Sequence, residues 1–202
     1  MLKKEIYPIG DIEIVSLTEV TSKFIEDFKC KIKDLNDFLR DDAFIQQQKS
    51  VGKTHLWVSK STKQLLGYIT LCSDSIHLEG TDKQKFKDDG IPYKAMPALK
   101  IARMAIDEKF VRKKIGSMII GNTIRKIYLI NKNAGCRILT VEAKNDRTLD
   151  ESEKPIHFYK KLGFKILKER KQDAAYITMY LDVQPYLNAI KKESHRNKME
   201  LL

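Results

Sequence analysis

The sequence predicts an α/β fold of a single domain, in which a mixed, mostly antiparallel sheet is flanked by helices. Strand-like runs alternate with helical patterns along the chain, which is typical of layered α/β folds. A short polar turn joins two of these runs early in the chain, and a second pair of runs lies late, so a purely parallel sheet is excluded. We place this domain at residues 1–183 and a terminal helix with a charged tail at 184–202.

The first predicted elements are a strand and two helical segments. Residues 12–17 alternate between apolar and polar side chains, and a helical segment follows from Thr21. In residues 34–48, Asp34 is the candidate N-cap of a second helix. The apolar face of this helix consists of Leu35, Phe38, Leu39 and Ala43.

A hairpin and a long loop are predicted next. Residues 54–60 and 64–78 are rich in β-forming side chains, and the polar turn 61–63 between them is short enough for a hairpin. Residues 79–97 are polar, contain two prolines and show no sustained period, although 82–87 favour a short helix. A loop of this length inside a compact domain is usually functional or mobile.

The C-terminal half alternates strands with helices. Residues 98–107 predict a strand, and the apolar stripe of residues 115–127 predicts a helix that begins near Ile115. A strand, a short helix with Pro155 in its first turn, and two further strands follow, at residues 136–143, 155–162, 163–167 and 174–183.

The charge balance favours anionic partners. The chain carries 38 Lys and Arg against 27 Asp and Glu, a formal net charge of +11. Nucleic acid, an anionic cofactor or an acidic surface would each suit that charge. No G-x-G-x-x-G follows a strand and no P-loop is present, so a Rossmann dinucleotide site is not supported.

The cysteines and the apolar runs bear on location. The three cysteines are widely spaced and form no C-x-x-C, which indicates neither a disulfide framework nor a zinc site. No run approaches the ~20 apolar residues of a membrane helix, and the N-terminus has no signal-peptide core. We therefore expect a soluble, cytoplasmic protein with no metal.

The stretch that begins at Phe110, "FVRKKIGSMIIGNTIRKI", predicts a phosphate site. Three cations directly precede the helix, whose first N–H groups and dipole also attract anions. Gly116 would let a ligand approach the backbone, and Ser117 adds a hydroxyl. The alternative is a solvated basic turn in which Gly116 only relieves crowding.

The order of "ALKIARMAID", "FVRKKIGSMII", "CRILTVEA" and "PIHFYKKLGF" resembles the GNAT N-acetyltransferase superfamily. The segment "FYKKLGF" carries the family pattern F-Y-x-K-x-G-F in full. The resemblance implies that acetyl-CoA is the cosubstrate and that Tyr159 lies near the thioester sulfur and protonates the departing thiolate. The alternative for Phe158 and Tyr159 is an aromatic pair of the core.

The resemblance also implies where acetyl-CoA binds. The end of the strand predicted at residues 98–107 would pair with the pantetheine arm. The loop before the helix that begins near Ile115 would hold the pyrophosphate. Asn145 resembles a family asparagine that contacts the cofactor arm, although a turn-forming Asn is the simpler alternative. The implied cofactor-binding residues are Met104, Ala105, Ile106, Val111, Arg112, Lys113, Lys114, Ile115, Gly116, Ser117 and Asn145.

The loop departs from the family pattern Q/R-x-x-G-x-G/A. When its last glycine is aligned with Gly116, Val111 stands where Gln or Arg is expected and Lys114 where the first glycine is expected. One side-chain donor is therefore lost, and Arg112 and the two lysines would compensate electrostatically.

The N-terminal half resembles the GNAT branch that includes toxins acetylating aminoacyl-tRNA. The related pattern F-x-C-x-x-x-x-L-N-x-F-L is carried by Phe28, Cys30, Leu35, Asn36, Phe38 and Leu39. Patterns of this kind are packing signatures, so the likeness informs ancestry rather than acceptor. The excess positive charge makes an RNA-linked amine, as in aminoacyl-tRNA, the most concrete candidate acceptor. Membership of this branch would imply a homodimer and an antitoxin partner. A peptide or small-amine acceptor is the close alternative, and the rival class is a non-catalytic basic nucleic-acid-binding or scaffold protein on the same fold.

The general base is not fixed by the sequence. Glu142, Asp74 and His77 are candidates, and each residue type is more often a surface side chain than a base. Strand alternation puts Asp74 and His77 on opposite faces, so at most one of them lines a cleft.

Overall fold

A computed structural model describes residues 6–19, 21–145, 148–149, 154–167 and 174–199. The strands are β1 (Ile12–Ser16), β2 (Lys53–Ser59), β3 (Leu65–His77), β4 (Ala95–Ile106), β5 (Ile138–Lys144), β6 (Lys165–Ile166) and β7 (Tyr176–Asp182). The helices are α1 (Lys33–Asp37), α2 (Ala43–Gln48), α3 (Gly80–Asp88), α4 (Ile115–Ile130), α5 (Pro155–Lys161) and α6 (Gln184–Met199).

The strands form one seven-stranded sheet in the order β1-β2-β3-β4-β5-β7-β6. The pairs β1–β2, β2–β3, β5–β7 and β6–β7 are antiparallel. The predicted class, a mixed and mostly antiparallel α/β sheet with flanking helices, is therefore confirmed.

The chain divides into two compact units. The first comprises Met1–Cys72 and Ile101–Gly121, and the second comprises Ser73–Lys100 and Asn122–Leu202. The strands β3 and β4 and the helix α4 each contribute residues to both units. The boundary that we placed at residue 183 stays a prediction, and α6 begins directly after it, at Gln184.

The helices of the first unit differ from the prediction at two points. The segment after Thr21 forms only a short 3₁₀ turn, Ser22–Phe24. Thr18 and Thr21 exchange hydrogen bonds between side-chain oxygens and backbone N–H groups, at 2.7 and 3.2 Å, and these bonds compete with a helix. Asp34 is not the N-cap, because α1 is preceded by Ile32 and Asp34 lies inside its first turn, where a carboxylate still complements the helix dipole.

The predicted helix over 34–48 is interrupted by a π-helical turn. The interruption is Phe38–Asp42, and it separates α1 from α2. The apolar face is nevertheless in place, since Phe38, Leu39 and Ala43 are all buried.

The N-terminal pattern of Phe28 to Leu39 is built into the core of the first unit. Asn36 accepts a hydrogen bond from the Cys30 N–H at 2.9 Å and donates to the Cys30 carbonyl oxygen at 2.8 Å. The rings of Phe28 and Phe38 lie 5.6 and 6.4 Å from that of Tyr68. This pattern therefore fixes packing, which explains its residue types without reference to a ligand.

The second unit is centred on the pairing of β5 with β7. Seven residue pairs, from Ile138↔Asp182 to Lys144↔Tyr176, form the ladder. The core on this side includes Ile76, Phe86, Met96, Ile138 and Tyr180.

The predicted long loop is shorter in the structure. The helix α3 extends two residues before and one beyond the predicted 82–87, and it buries Phe86. The strand β4 begins at Ala95 rather than at residue 98, because Met96 and Ala98 alternate inward from exposed Ala95 and Pro97.

Within the described residues, no helix is both long and apolar enough to cross a membrane. Cys30, Cys72 and Cys136 all lie in the described ranges, and none of them forms a disulfide.

Candidate active site

The loop between β4 and α4 is anchored by a buried carboxylate. Asp107 is 3% exposed, and its oxygens accept hydrogen bonds from the N–H groups of Lys109 and Lys29, both at 3.0 Å. Its own N–H donates to the Leu66 carbonyl oxygen at 3.0 Å. The start of the predicted phosphate-binding loop is therefore held by three bonds to backbone groups.

The loop has an unusual backbone. Arg112 and Lys114 adopt the left-handed conformation, with φ of 66° and 63°. Each such residue that is not glycine costs on the order of 1–3 kcal/mol. Lys114 occupies the position where the family pattern has its first glycine, so the structure gives the physical reason for a glycine there.

The loop leads directly into α4. The Met118 N–H donates to the Lys114 carbonyl oxygen at 3.1 Å, which closes the first helical turn. Ile115 is 1% exposed and packs inward, whereas Ser117 is exposed and Gly116 half-buried. Because the Ile115 side chain is buried, its predicted contact with the cofactor would be made through its backbone N–H.

The loop side chains divide by exposure. Arg112 and Lys114 are exposed, and Val111 is 46% exposed. Lys113 is half-buried, and its Nζ lies 5.5 Å from the centre of the Phe110 ring. Exposed cations beside a helix N-terminus provide the charge and donors that a diphosphate requires.

The end of β4 is approached closely by β3. A Cβ added at Gly67 would lie 2.8 Å from the Ala105 carbonyl oxygen and 2.8 Å from Ile106 Cδ1. Gly67 therefore allows this approach at the strand predicted to pair with pantetheine. Gly67 was not among the predicted site residues, although an isolated glycine inside a strand pattern is the expected signal.

Tyr159 is the buried member of the aromatic pair. It is 5% exposed, while Phe158 is half-buried. Its ring lies 5.1 Å from that of Phe158 and 5.2 Å from that of Phe164, both edge to face. Burial raises the pKa of Tyr159 above its ordinary 10.0, so the phenol stays protonated beyond the pH at which a free tyrosine ionises.

The end of α5 explains the glycine and the last phenylalanine of "FYKKLGF". Gly163 has φ of 89°, and its N–H donates to the Lys160 carbonyl oxygen at 3.0 Å. The Phe164 N–H returns to the Tyr159 carbonyl oxygen at 3.1 Å. These two bonds form a Schellman motif, in which the residue after glycine packs back on the helix.

Asn145 lies where β5 ends. Its N–H donates to the Ala175 carbonyl oxygen at 2.8 Å, and its side-chain Nδ2 donates to the Ala174 carbonyl oxygen at 3.3 Å. These contacts favour the structural alternative, and its binding role stays a prediction. Of the segment that follows it, 146–154, only residues 148–149 and 154 are described.

The candidate bases have partners of their own. Thr140, which is 2% exposed, donates to Oδ2 of Asp74 at 2.7 Å, and the Ser75 N–H donates to Oδ1 at 2.9 Å. Glu142 lies 3.4 Å from Lys100 Nζ. Both oxygens of Asp74 thus accept hydrogen bonds, which favours a structural role for it. Sequence reasoning did not single out Thr140, whose signal is a hydroxyl at an inward strand position.

Within the part of the chain that the structure describes, no three His, Cys, Asp or Glu side chains lie close enough together to hold a metal ion.

A family model described as "Acetyltransferase (GNAT) domain" matches residues 52–166. Among solved structures, a tyrosine-to-phenylalanine mutant of KacT is 25% identical, with a TM-score of 0.71 over 89% of this chain and 99% of that one. AtaT complexed with acetyl-methionyl-tRNAfMet is 24% identical, with a TM-score of 0.71 over 89% and 99% of the two chains.

A third similar structure is a tyrosine-to-phenylalanine mutant of the AtaT toxin bound to acetyl-CoA and to the C-terminus of the antitoxin AtaR. It is 22% identical, with a TM-score of 0.67 over 89% of this chain and 98% of that one. At these identities the two AtaT structures establish a shared fold.

Proposed function

The chain belongs to the GNAT family of acetyltransferases, and we propose that it transfers the acetyl group of acetyl-CoA to the primary amine of an aminoacyl-tRNA by direct attack. Acetyl-CoA is the cosubstrate of this acetyltransferase, so the proposal concerns the acceptor and the residues that act. A peptide or a small amine is the alternative acceptor.

We assign the diphosphate of acetyl-CoA to the loop 111–117. The observation that supports this assignment is the left-handed Lys114 directly before α4, because that backbone geometry turns the chain into the helix mouth. The N–H groups of Ile115, Gly116 and Ser117 would donate to the phosphates. Exposed Arg112 and Lys114 would add charge.

The strand end at Met104 and Ala105 is assigned to the thioester. A backbone N–H there would donate to the thioester carbonyl oxygen, on which negative charge develops during attack. The approach of β3 at Gly67 supports this role, since it leaves little freedom for the end of β4 to shift.

Tyr159 is assigned as the proton donor. The amine nitrogen bonds to the carbonyl carbon, the carbon–sulfur bond breaks, and the sulfur takes the phenol proton. A positioned acid of this kind contributes about 10²–10⁴-fold. The surplus proton of the amine leaves to water or to a base, for which Glu142, Asp74 and His77 are the candidates. A proton from water then restores the Tyr159 phenol.

The acceptor is inferred from charge and from the relatives. The net charge of +11 suits a polyanion. In the second unit, α3 exposes Lys83, Lys85 and Lys87, and α4 exposes Arg125. AtaT has been solved with an acetylated aminoacyl-tRNA, which makes that class of acceptor the most concrete candidate. An antitoxin partner is proposed on the same grounds.

Mass spectrometry after incubation with isotopically labelled acetyl-CoA tests the proposal. Pools of aminoacyl-tRNA, peptides and polyamines are offered in parallel, at low and at high salt. We expect label on the α-amine of aminoacyl-tRNA, with a rate that falls steeply as salt rises. Label found only in peptides or polyamines would show that the proposed acceptor is wrong, without contradicting the acetyltransferase activity.

A further inference from the structure

A segment ahead of the first strand touches the proposed diphosphate loop. The Tyr7 N–H donates to the Lys113 carbonyl oxygen at 3.2 Å. The Tyr7 ring meets that of Phe110 edge to face, with 5.7 Å between ring centres and 86° between their planes. Residues far apart in sequence are therefore joined at the loop by a backbone bond and a ring contact.

The hydroxyl group of Tyr7 is also held by a hydrogen bond. It donates to Oδ2 of Asp11 at 2.7 Å. Asp11 in turn accepts hydrogen bonds from the Ser59 hydroxyl at 2.7 Å and from the Ser61 N–H at 2.9 Å. Ser59 is fully buried at the end of β2, so Tyr7 is tied to the rigid sheet.

The loop needs such support. Lys113 stands between Arg112 and Lys114, the two left-handed residues, and its carbonyl is the group that Tyr7 bonds. Backbone of this kind persists only where surrounding contacts hold it. The Lys113 ammonium group lies over the Phe110 ring, and the Tyr7 ring packs against the same ring.

We propose that Tyr7 is a positioning residue for acetyl-CoA, which acts by holding the loop 111–114 in the conformation that receives the diphosphate. This inference rests on the proposed assignment of that loop. It predicts that the loss of Tyr7 weakens only ligands that carry the diphosphate.

The test compares two ligands by titration calorimetry, CoA and S-acetylpantetheine, of which the second lacks both the diphosphate and the nucleotide. Tyr7→Ala should weaken the affinity for CoA about three- to tenfold, the range expected for one lost aromatic pair. Its affinity for S-acetylpantetheine should stay unchanged. Tyr7→Phe keeps the ring contact with Phe110, loses only the hydroxyl bond to Asp11, and should therefore weaken CoA binding less. The control is Ile9→Ala, a 72% exposed side chain in the same segment, which should change neither affinity.

Each other outcome overturns the inference. Equal CoA affinity in Tyr7→Ala means that the segment does not position the loop, and equal weakening of both ligands means that Tyr7 is merely structural. If the wild-type chain fails to bind CoA, the diphosphate assignment falls and the inference falls with it. Should Tyr7→Ala fail to fold by circular dichroism, Phe110→Leu removes the ring pair from the other side and decides between the same outcomes.

Discussion

The backbone N–H of Phe164 donates to the carbonyl oxygen of Tyr159 at 3.1 Å, and their rings lie 5.2 Å apart. One residue thus both ends the helix that carries the candidate acid and packs against its ring. The orientation of Tyr159 depends on this local turn as well as on the surrounding core.

Tyr159→Phe should preserve acetyl-CoA binding and lower kcat by about 10²–10⁴-fold, because the phenol proton is lost while the buried ring remains. Steady-state kinetics with calorimetry of cosubstrate binding measure the two effects separately. Tyr176→Phe is the matched control, since Tyr176 is 48% exposed and outside the site. Equal kcat in wild type and Tyr159→Phe would remove Tyr159 from the chemistry.

The stability of the protein should fall in alkali. Burial raises the pKa of Tyr159 above the ordinary 10.0, so the unfolded state loses its proton first. The stabilising effect is complete below pH 10.0 and is lost as pH rises toward the folded-state pKa. Urea unfolding between about pH 9 and about pH 11 should show a smaller decline in Tyr159→Phe than in the wild type. Parallel declines would contradict the raised pKa.

Gly163→Ala should lower the free energy of unfolding by about 1 kcal/mol or more, because a φ of 89° is strained for any side chain. Gly121→Ala provides the contrast. Gly121 lies inside α4 with nothing within 4 Å of an added Cβ, so alanine should stabilise the helix by about 0.5–1 kcal/mol. Denaturant melts give both values, and equal effects of the two substitutions would refute the left-handed turn.

Two substitutions of Lys114 distinguish the effect of its backbone conformation from the effect of its charge. Lys114→Gly accepts φ of 63° without strain, whereas Lys114→Val should destabilise the loop by about 1–3 kcal/mol. We expect the change to glycine to weaken acetyl-CoA binding by no more than about threefold, since one exposed ion pair is worth about 0.2–1 kcal/mol and the other donors of the loop remain. Valine should weaken binding further, because it loses the same charge and also strains the backbone. If glycine weakens binding as much as valine does, charge rather than backbone governs this position.

Gly67→Ala should destabilise the protein by about 1–3 kcal/mol, because the new methyl group meets the Ala105 carbonyl oxygen at 2.8 Å. Turnover should fall with it, since the end of β4 must move. Gly10→Ala is the control, as an added Cβ there has no neighbour within 4 Å. An unchanged free energy of unfolding in Gly67→Ala would show that β3 and β4 can shift apart at little cost.

Local patterns in the sequence were enough to predict most elements. The apolar stripe from Ile115 identified α4, and Pro155 marked the start of α5. Asp34 was wrong as a cap because a carboxylate directly before an apolar face fits either the cap or the first turn. The π-helical turn Phe38–Asp42 has no local signal, since the same side chains suit an unbroken helix.

Features that depend on pairing between distant residues could not be predicted. The role of Gly67 depends on which residues of β4 face it, and the bond from Thr140 to Asp74 joins residues far apart in sequence. The contact of Tyr7 with Lys113 is likewise non-local. Strand register and loop docking are set by the packed sheet, which single-sequence periodicity does not report.

The order of the two compact units along the chain is interleaved, since Met1–Cys72 and Ile101–Gly121 alternate with Ser73–Lys100 and Asn122–Leu202. No single cut of the polypeptide can therefore release either unit whole. A nascent chain leaving the ribosome cannot complete the first unit before residue 121 has emerged, by which time part of the second is already outside.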